Sequence, residues 1–198
     1  MFNGIIFNTG KIKSITKGAN SVLIEVETNL KFSQKDLGSS VSCSGVCLTI
    51  TKIKKNLISF YISKETLNRS NFKFIKKNQL INLEKSLLFG QKISGHFSQG
   101  HVDTIAKIKK ISFLDKTWLI RLNIANNKLK KFIVEKASIS INGVSLTVSK
   151  VSNNFFEINV IPHTLALTSL KNLKINDIVN VELDIFSKYI YKYSNWYV

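Results

Sequence analysis

The sequence predicts an all-β protein made of two tandem, similar six-stranded Greek-key β-barrels followed by a C-terminal α-helix. Two observations predict the barrels: a repeat that spans almost half of the 198 residues, and short segments in which apolar and polar residues alternate. A third observation, a change to three- and four-residue spacing near the end, predicts the helix.

The repeat is clearest at two hexapeptides, GVCLTI from Gly45 and GVSLTV from Gly143, which lie 98 residues apart. The segments that match without a gap at this offset are 40–67 with 138–165 and 80–84 with 178–182. Each copy is long enough to fold as a domain. We therefore expect an N-terminal barrel over residues 1–92 and a C-terminal barrel over residues 93–184.

Strands are indicated by SVLIEVET, VCLTITKI, NLISFYIS and LINLE, which are rich in β-branched and aromatic residues. Turn residues separate them, among them Gly10, Gly18, Gly38 and the KKN of residues 76–78. Roughly six strands in one copy favour a small barrel, because a barrel closes its own edges.

Short helices are predicted at KETLNRS (64–70), HTLALTS (163–169) and NNKLKKFIVEK (126–136). In the tail, apolar residues recur with helical spacing and predict an amphipathic helix over residues 185–198. These residues are Phe186, Tyr189, Ile190, Tyr193 and Tyr197. Because two closed barrels leave this helix nothing of their own to cover, we expect its apolar stripe to pack against another subunit.

A net charge of +17 at pH 7 suggests nucleic acid or an anionic membrane as a partner. Only Arg69 and Arg121 are arginines, so 27 of the 29 basic residues (29 − 2) are lysines, scattered along the chain. Proteins that bind phosphate usually favour the arginine fork, and most aromatic residues here alternate into strand interiors. We expect neither nucleic acid nor a membrane as a partner.

The sequence shows no basic leader with an apolar run, and no run of 18 apolar residues. Its only cysteines, Cys43 and Cys47, would lie roughly 13 Å apart on a strand, too far for a disulfide. We expect a soluble, cytoplasmic protein in a reducing compartment.

His101 starts the second copy and could move protons or bind a ligand, although a lone histidine is more often structural. Together with His96 and the two cysteines it could suggest zinc, but the pairs are far apart and no metal site is expected. The sequence also lacks the common phosphate-binding and nucleophile motifs, so binding of a common cofactor is less expected.

Cys47 and Thr49 share one strand face, as do Ser145 and Thr147 in the second copy. Cys47 is most simply interpreted as a small apolar residue that packs in the barrel, and no neighbouring motif that would lower the pKa of its thiol is evident. Thr66 and its counterpart Thr164 could cap helices or bind a ligand.

The segments MFNGII, SVSCSGVCLTI, KETL, GHFSQGHVD, INGVSLTV and VNVELD occur in this order across both copies. Together they closely resemble the riboflavin synthase family of the α-subunit type, over nearly the whole chain. The resemblance implies a transferase without metal or organic cofactor. In its reaction, two molecules of 6,7-dimethyl-8-ribityllumazine exchange a four-carbon unit and give riboflavin and 5-amino-6-(ribitylamino)uracil.

The resemblance also implies that each barrel holds one lumazine, and that a site forms where the N-terminal barrel of one subunit faces the C-terminal barrel of another. The implied catalytic residues are Phe2, Ser40, Cys47, His101, Ser145 and Asp184. His101 and Ser40 are assigned to proton transfer or to polarising the activated lumazine. Three chains would be joined by the C-terminal helix, and a lumazine synthase shell is a possible further partner.

Two sets of substrate-binding residues follow from the resemblance. The first consists of Gly4, Ile5, Ile6, Cys47, Leu48, Thr49, Tyr61, Ile62, Ser63, Lys64, Glu65, Thr66, Gly100, His101 and Val102. The second consists of Lys136, Ser145, Leu146, Thr147, Asn159, Val160, Ile161, Pro162, His163 and Thr164.

The chain departs from the family pattern in three places. His163 replaces a glutamate, the tail beyond Asp184 is short, and Asn78 and Asn176 replace glycines in the turn before the last strand of each copy. The alternative function is a non-catalytic lumazine- or flavin-binding protein of the same fold. Because the polar sets are present in both copies, the enzyme is favoured.

Overall fold

Each copy of the repeat supplies the strands of one closed antiparallel barrel in the computed structural model, which describes residues 1–194. The first barrel consists of β1 (Asn8–Lys17), β2 (Ser21–Thr28), β3 (Ser40–Cys43), β4 (Val46–Lys54), β5 (Leu57–Ser63) and β6 (Leu80–Lys85). The second consists of β7 (Thr104–Leu114), β8 (Thr117–Ile124), β9 (Ser138–Ile141), β10 (Val144–Val151), β11 (Phe156–Val160) and β12 (Ile178–Leu183).

Both barrels have the same strand order. In the first it is β1-β2-β5-β4-β3-β6, with β6 paired back to β1. In the second the corresponding order is β7-β8-β11-β10-β9-β12, with β12 paired to β7. The prediction of two similar six-stranded barrels is confirmed.

Alternation along the strands decides which residues enter the two cores. On β2, Val22, Ile24 and Val26 are buried, whereas the residues between them are more exposed. The core of the first barrel and that of the second form two separate clusters, with Phe60 in the first and Phe156 in the second. Period-two patterning of this kind is what a barrel with a single apolar interior requires.

Outside the strands, residues 1–194 form three α-helices, α1 (Lys64–Arg69), α2 (Pro162–Leu167) and α3 (Ile185–Ser194). The helix predicted over residues 126–136 is wrong in length, since only a 3-10 helix at Asn127–Phe132 forms there. Ile133, with extended backbone angles, is buried in the second core, so tertiary packing ends the helix. Asn78 and Asn176, which replace family glycines, both adopt positive φ angles, 67° and 76°, a conformation that asparagine tolerates.

The two barrels meet at their β3–β4 and β9–β10 hairpins. Ser44–Gly45 and Asn142–Gly143 both have positive φ angles, as a two-residue type I′ turn requires. A Cβ atom on Gly45 would lie 2.8 Å from the Gly143 nitrogen, and one on Gly143 would lie 2.7 Å from the Gly45 nitrogen. The glycine that starts each hexapeptide is therefore required twice, for the turn and for the close approach of the copies.

Buried asparagines cross-link the barrels with approximate two-fold symmetry. Asn82 donates from Nδ2 to the Asn142 carbonyl (2.9 Å) and accepts the Ser169 N–H (2.7 Å). Its repeat equivalent, Asn180, donates to the Ser44 carbonyl (2.8 Å) and accepts the Asn71 N–H (2.6 Å).

Helix α3 packs against the second barrel of its own chain. Lys188 Nζ lies 3.0 Å from an Asp103 carboxylate oxygen, and the Phe186 ring packs edge-on against Phe97 with centroids 5.9 Å apart. Most of the predicted apolar stripe, Phe186, Tyr189, Ile190 and Tyr193, stays exposed on this single chain. Tyr197 lies outside the described residues.

None of the helices within residues 1–194 has the length and apolar character needed to span a membrane.

Candidate functional site

The segments that precede the first strand of each copy are exchanged between the barrels. The Gly4 carbonyl accepts the N–H of Ser145, on β10 of the second barrel, at 2.8 Å. The Gly100 carbonyl accepts the N–H of Cys47, on β4 of the first barrel, also at 2.8 Å. Each leading segment therefore lies beside the hexapeptide strand of the other copy.

Apolar packing follows the same exchange. Ile6 belongs to the core of the second barrel, and Val102 packs against the core of the first. Where the two segments pass each other, Phe2 and Ser98 form an isolated antiparallel bridge through both backbone groups. Gly4 and Ile6 therefore contact the second barrel, although the strands of the first barrel follow them in sequence.

Two glutamates hold the exchanged segments. Glu84, at the end of β6, accepts the N–H groups of Asn3 (2.8 Å) and Gly4 (3.0 Å). Glu182 holds the other segment in the same way. It accepts from Ser98 Oγ (2.7 Å), Gln99 N (2.6 Å) and Gly100 N (3.0 Å). Burial raises the pKa of Glu84 to about 6, while the backbone N–H groups that it accepts oppose this rise.

The first wall of the candidate site is the outer face of β4 with its surroundings. Leu48 points into the core, Thr49 is exposed and Cys47 is half-buried, as the alternation predicts. Ser40 pairs with Thr49 across β3 and β4. The neighbouring residues Tyr61, Ser63, Lys64 and Glu65 are exposed, Thr66 is half-buried and Ile62 is in the core.

The second wall is the equivalent face of β10. Thr147 is exposed, and Ser145 and Leu146 are half-buried. Around them Asn159, Ile161, Pro162 and His163 are exposed, Thr164 is half-buried and Val160 is in the core. The structure thus builds the same kind of open, polar strand face twice.

The exchange corrects one grouping of the predicted binding residues. Gly4–Ile6 were placed in the set of the first barrel, but they lie against Ser145 and belong with the second wall. Gly100–Val102 lie against Cys47, with the first wall, as grouped. The reason is topological: each wall is completed by backbone from the other copy.

The six predicted catalytic residues differ in accessibility. Cys47 and Ser145 stand on the two walls, and His101 is exposed directly after Gly100. Ser40 lines a cavity of about 590 Å³ together with Glu84 and Ile5. Asp184 caps α3, since its Oδ1 accepts the Phe186 N–H at 2.8 Å. Phe2 is only 1% exposed, so its ring cannot reach a ligand on the surface of a single chain.

Helix capping by Thr66 and Thr164 is not observed. Ser63 caps α1 and accepts the Thr66 N–H at 3.2 Å, and α2 starts at Pro162 after Ile161. Both threonines lie within the first turn of their helices, beside the walls.

Lys136 occupies an unusual backbone position. Its φ angle is 68°, and the residue at its place in the first copy is Gly38, with φ 81°. A left-handed conformation costs a non-glycine residue about 1 kcal/mol. Lys136 lies in an exposed turn next to the second wall, where its N–H donates to the Val148 carbonyl of β10 at 2.8 Å.

Four residues that hold or flank the walls were not predicted as site residues: Asn3, Glu84, Glu182 and His96. His96 is buried, with its Nδ1 2.7 Å from Ser145 Oγ. A signal existed for the two glutamates, which end the matching segments LINLE and IVNVE. For Asn3 and His96 there was none, because neither is matched by the same residue type in the other copy.

Cysteine and metal chemistry find little support. Burial raises the pKa of the Cys43 thiol, which is inaccessible in the first core. Within the part of the chain that the structure describes, no group of three or more His, Cys, Asp or Glu residues is arranged to hold a metal ion.

Comparison with known proteins identifies both copies. The profile of the lumazine binding domain matches residues 3–86 and 99–184. A riboflavin synthase of Photobacterium leiognathi is 37% identical over 194 residues, covering 97% of this chain and 88% of that protein. The riboflavin synthase of Escherichia coli (strain K12) is 35% identical, with 93% of this chain and 87% of that protein covered.

Solved structures support the fold. LumP in complex with riboflavin superposes with a TM-score of 0.80 at 25% identity, covering 92% of this chain and 99% of that one. LumP in complex with 6,7-dimethyl-8-(1'-D-ribityl) lumazine gives a TM-score of 0.80 at 24% identity, covering 92% and 98%. The family profile and the full-length relatives together mean that this chain belongs to the riboflavin synthase family.

Proposed function

We propose that this chain catalyses the dismutation of two 6,7-dimethyl-8-ribityllumazine molecules to riboflavin and 5-amino-6-(ribitylamino)uracil. The observation that carries the proposal is the duplicated wall: Cys47 and Thr49 on β4, and Ser145 and Thr147 on β10, each completed by a segment from the other copy. Two equivalent polar faces suit a reaction between two copies of one substrate.

The chemistry needs a proton removed from the C7 methyl group of one lumazine and a nucleophile activated against the other. Stacking the two rings contributes through proximity, which converts a bimolecular step into one within a complex. Both carbon fragments come from lumazine, so the proposal includes no cofactor.

The walls offer the hydrogen-bonding groups that a flat heterocycle with carbonyl edges and a polyol chain requires. Thr49 and Thr147 are exposed for the rings, and Thr66 and Thr164 lie at the helix starts for the ribityl chains. Lys136 contributes a charge beside the second wall. His163 cannot supply the carboxylate that Glu65 presents in the first copy, so the two ribityl sites differ.

His101 and Ser40 are proposed for proton transfer or polarisation, together with Cys47, Ser145 and Asp184. His101 is exposed and directly follows Gly100, whose N–H is bound by Glu182 and whose carbonyl accepts the Cys47 N–H, and this supports a role for His101 at the first wall. Phe2 acts in this proposal by joining the two leading segments through its backbone bridge to Ser98.

A homotrimer is proposed for the assembly, with α3 as the joint and with sites formed between barrels of different chains. The exposed apolar side chains of α3 and the open walls support it. Sedimentation of a chain truncated after Ser187 tests it, because removing most of α3 should dissociate the trimer. A cytoplasmic location, domain limits at 1–92, 93–184 and 185–198, and association with a lumazine synthase shell remain predictions.

The activity is tested by incubating the purified chain with 6,7-dimethyl-8-ribityllumazine alone and recording riboflavin absorbance. Turnover supports the enzyme. Tight binding without turnover would overturn it in favour of a non-catalytic lumazine- or flavin-binding protein, the second candidate suggested by the fold of LumP. For the site, His101→Ala should slow turnover far more than it weakens lumazine binding, and an unchanged rate would remove His101 from the mechanism.

A further inference from the structure

The loop that joins the two barrels is held against the second wall by one side chain. Asn3 Oδ1 accepts the N–H groups of Ser94 (2.9 Å) and Gly95 (2.8 Å), and the Asn3 carbonyl accepts the His96 N–H (3.3 Å). A Cβ atom on Gly95 would lie 2.0 Å from the Asn3 carbonyl oxygen, so only glycine fits there. The loop is thereby built to bring His96 to a defined place.

That place is the hydroxyl of Ser145. His96 is 8% exposed, and its Nδ1 lies 2.7 Å from Ser145 Oγ. Its other ring nitrogen, Nε2, is buried and has no hydrogen-bond partner among residues 1–194. A buried imidazole whose single hydrogen bond goes to a side chain of the second wall requires an explanation.

The first wall has no such contact within residues 1–194. Cys47 takes the place of Ser145 there, and its thiol makes no hydrogen bond to a histidine. The imidazole at Ser145 is therefore a difference between two walls that are otherwise built alike. A dismutation needs such a difference, because two identical molecules must take unlike roles.

We propose that His96 is a positioning residue that orients the hydroxyl of Ser145 and makes the second lumazine site chemically different from the first. The inference rests on the proposed function. It assigns to the second wall the lumazine that accepts a hydrogen bond from the oriented Ser145 hydroxyl, and to the first wall, with Cys47 and His101, the other lumazine.

The imidazole acts in its neutral form. Burial lowers the pKa of His96, and the negative charges of Asp184 and Glu182 oppose this change. A neutral imidazole carries one proton. With the proton on Nδ1, the ring donates to Ser145 Oγ and turns the serine O–H toward the ligand, and no N–H is left buried without an acceptor at Nε2.

The test compares His96→Asn with His96→Gln. The amide of asparagine can occupy the place of Nδ1, whereas that of glutamine reaches the place of Nε2. We expect His96→Gln to lower kcat by roughly tenfold to a hundredfold, the cost of a misplaced reacting group. His96→Asn should have a kcat much closer to that of wild type. The two variants should have equal thermal unfolding midpoints, so that a difference in stability does not explain the difference in kcat.

Equilibrium titration with 6,7-dimethyl-8-ribityllumazine gives the second readout. His96→Gln should weaken one of the two sites in each chain and leave the other unchanged.

Three results would overturn the inference while leaving the enzyme intact. These are a wild-type rate in His96→Gln, equal losses in both variants together with lower thermal midpoints, or equal weakening of both lumazine sites. A wild-type chain that makes no riboflavin would instead overturn the proposed function. The titration then decides the role of His96 by itself, since a selective effect on one site supports it and no effect refutes it.

Discussion

Replacing Glu182 by glutamine should open the first wall and leave the second in place. The carboxylate of Glu182 accepts three hydrogen bonds, from Ser98 Oγ, Gln99 N and Gly100 N. A glutamine offers one acceptor oxygen and an NH2 group in the same space. Whichever way the amide turns, at least one N–H of the segment then faces another donor.

The magnitude follows from those three bonds. A buried donor left unsatisfied costs about 1–3 kcal/mol, and the remaining bonds lose the strength that a charged acceptor gives them. Together this amounts to about 3 kcal/mol for holding residues 98–102, or roughly a hundredfold in the population of the opened segment. The Cys47 N–H then loses its acceptor, the Gly100 carbonyl.

Hydrogen–deuterium exchange, followed peptide by peptide, is the assay. In Glu182→Gln, exchange at Gly100 and Cys47 should rise by about a hundredfold, while Ser145 keeps its protection because the Gly4 carbonyl still accepts its N–H. Turnover should fall, since both walls are needed.

Glu84→Gln is the matched control and should give the reverse pattern, with faster exchange at Gly4 and Ser145 and protection kept at Cys47. Two variants that loosen both walls equally, or neither, would refute the view that each glutamate holds one exchanged segment.

Further predictions concern stability. Because burial raises the pKa of Glu84 from 4.5 to about 6, the native chain binds more protons than the unfolded chain between these values. The stability of wild type relative to Glu84→Gln, measured by urea unfolding, should be highest below pH 4.5 and fall by about 2 kcal/mol as the pH rises through 6. Asn180→Ala removes two buried hydrogen bonds between the barrels and should cost about 2–4 kcal/mol in the same assay, whereas Asn154→Ala, in an exposed hairpin, should cost little. Gly100→Ala places a Cβ atom 2.7 Å from that of Cys47, so it should detach residues 98–102 from the first wall and lower turnover. Its control is Gly38→Ala, where φ is also positive but the space is open. This variant should lose only about 1 kcal/mol in the free energy of unfolding and keep the wild-type rate.

Much of the fold could be predicted because its causes are local or repeated. Alternation along β2 reports directly which side chains enter the core, as Ile24 shows. The repeat doubles every strand signal, and the glycines at 45 and 143 mark turns that need positive φ angles. The helix at 126–136 was overestimated because Ile133 is drawn into the core, a tertiary effect with no local signal.

The site was only partly predictable for a similar reason. The apolar side chains of Ile6 and Val102 predict that both residues are buried. The alternation of apolar and polar residues does not predict which barrel buries each of them. The exchange depends on long-range pairing, here through Glu84 and Glu182. The contact of His96 with Ser145 lies outside the repeat, so internal comparison of the copies could not find it.

The exchanged leading segments also limit how the two copies can evolve. In a simple tandem duplication, each copy is free to accumulate changes while the other preserves the original role. Here a substitution at Gly4 changes the second wall, because Gly4 contacts Ser145, and a substitution at Gly100 changes the first wall, because Gly100 contacts Cys47. A fragment ending at residue 92 would lose the backbone that completes its own wall. Excising or exchanging one half alone would therefore remove backbone that completes a wall of the other half.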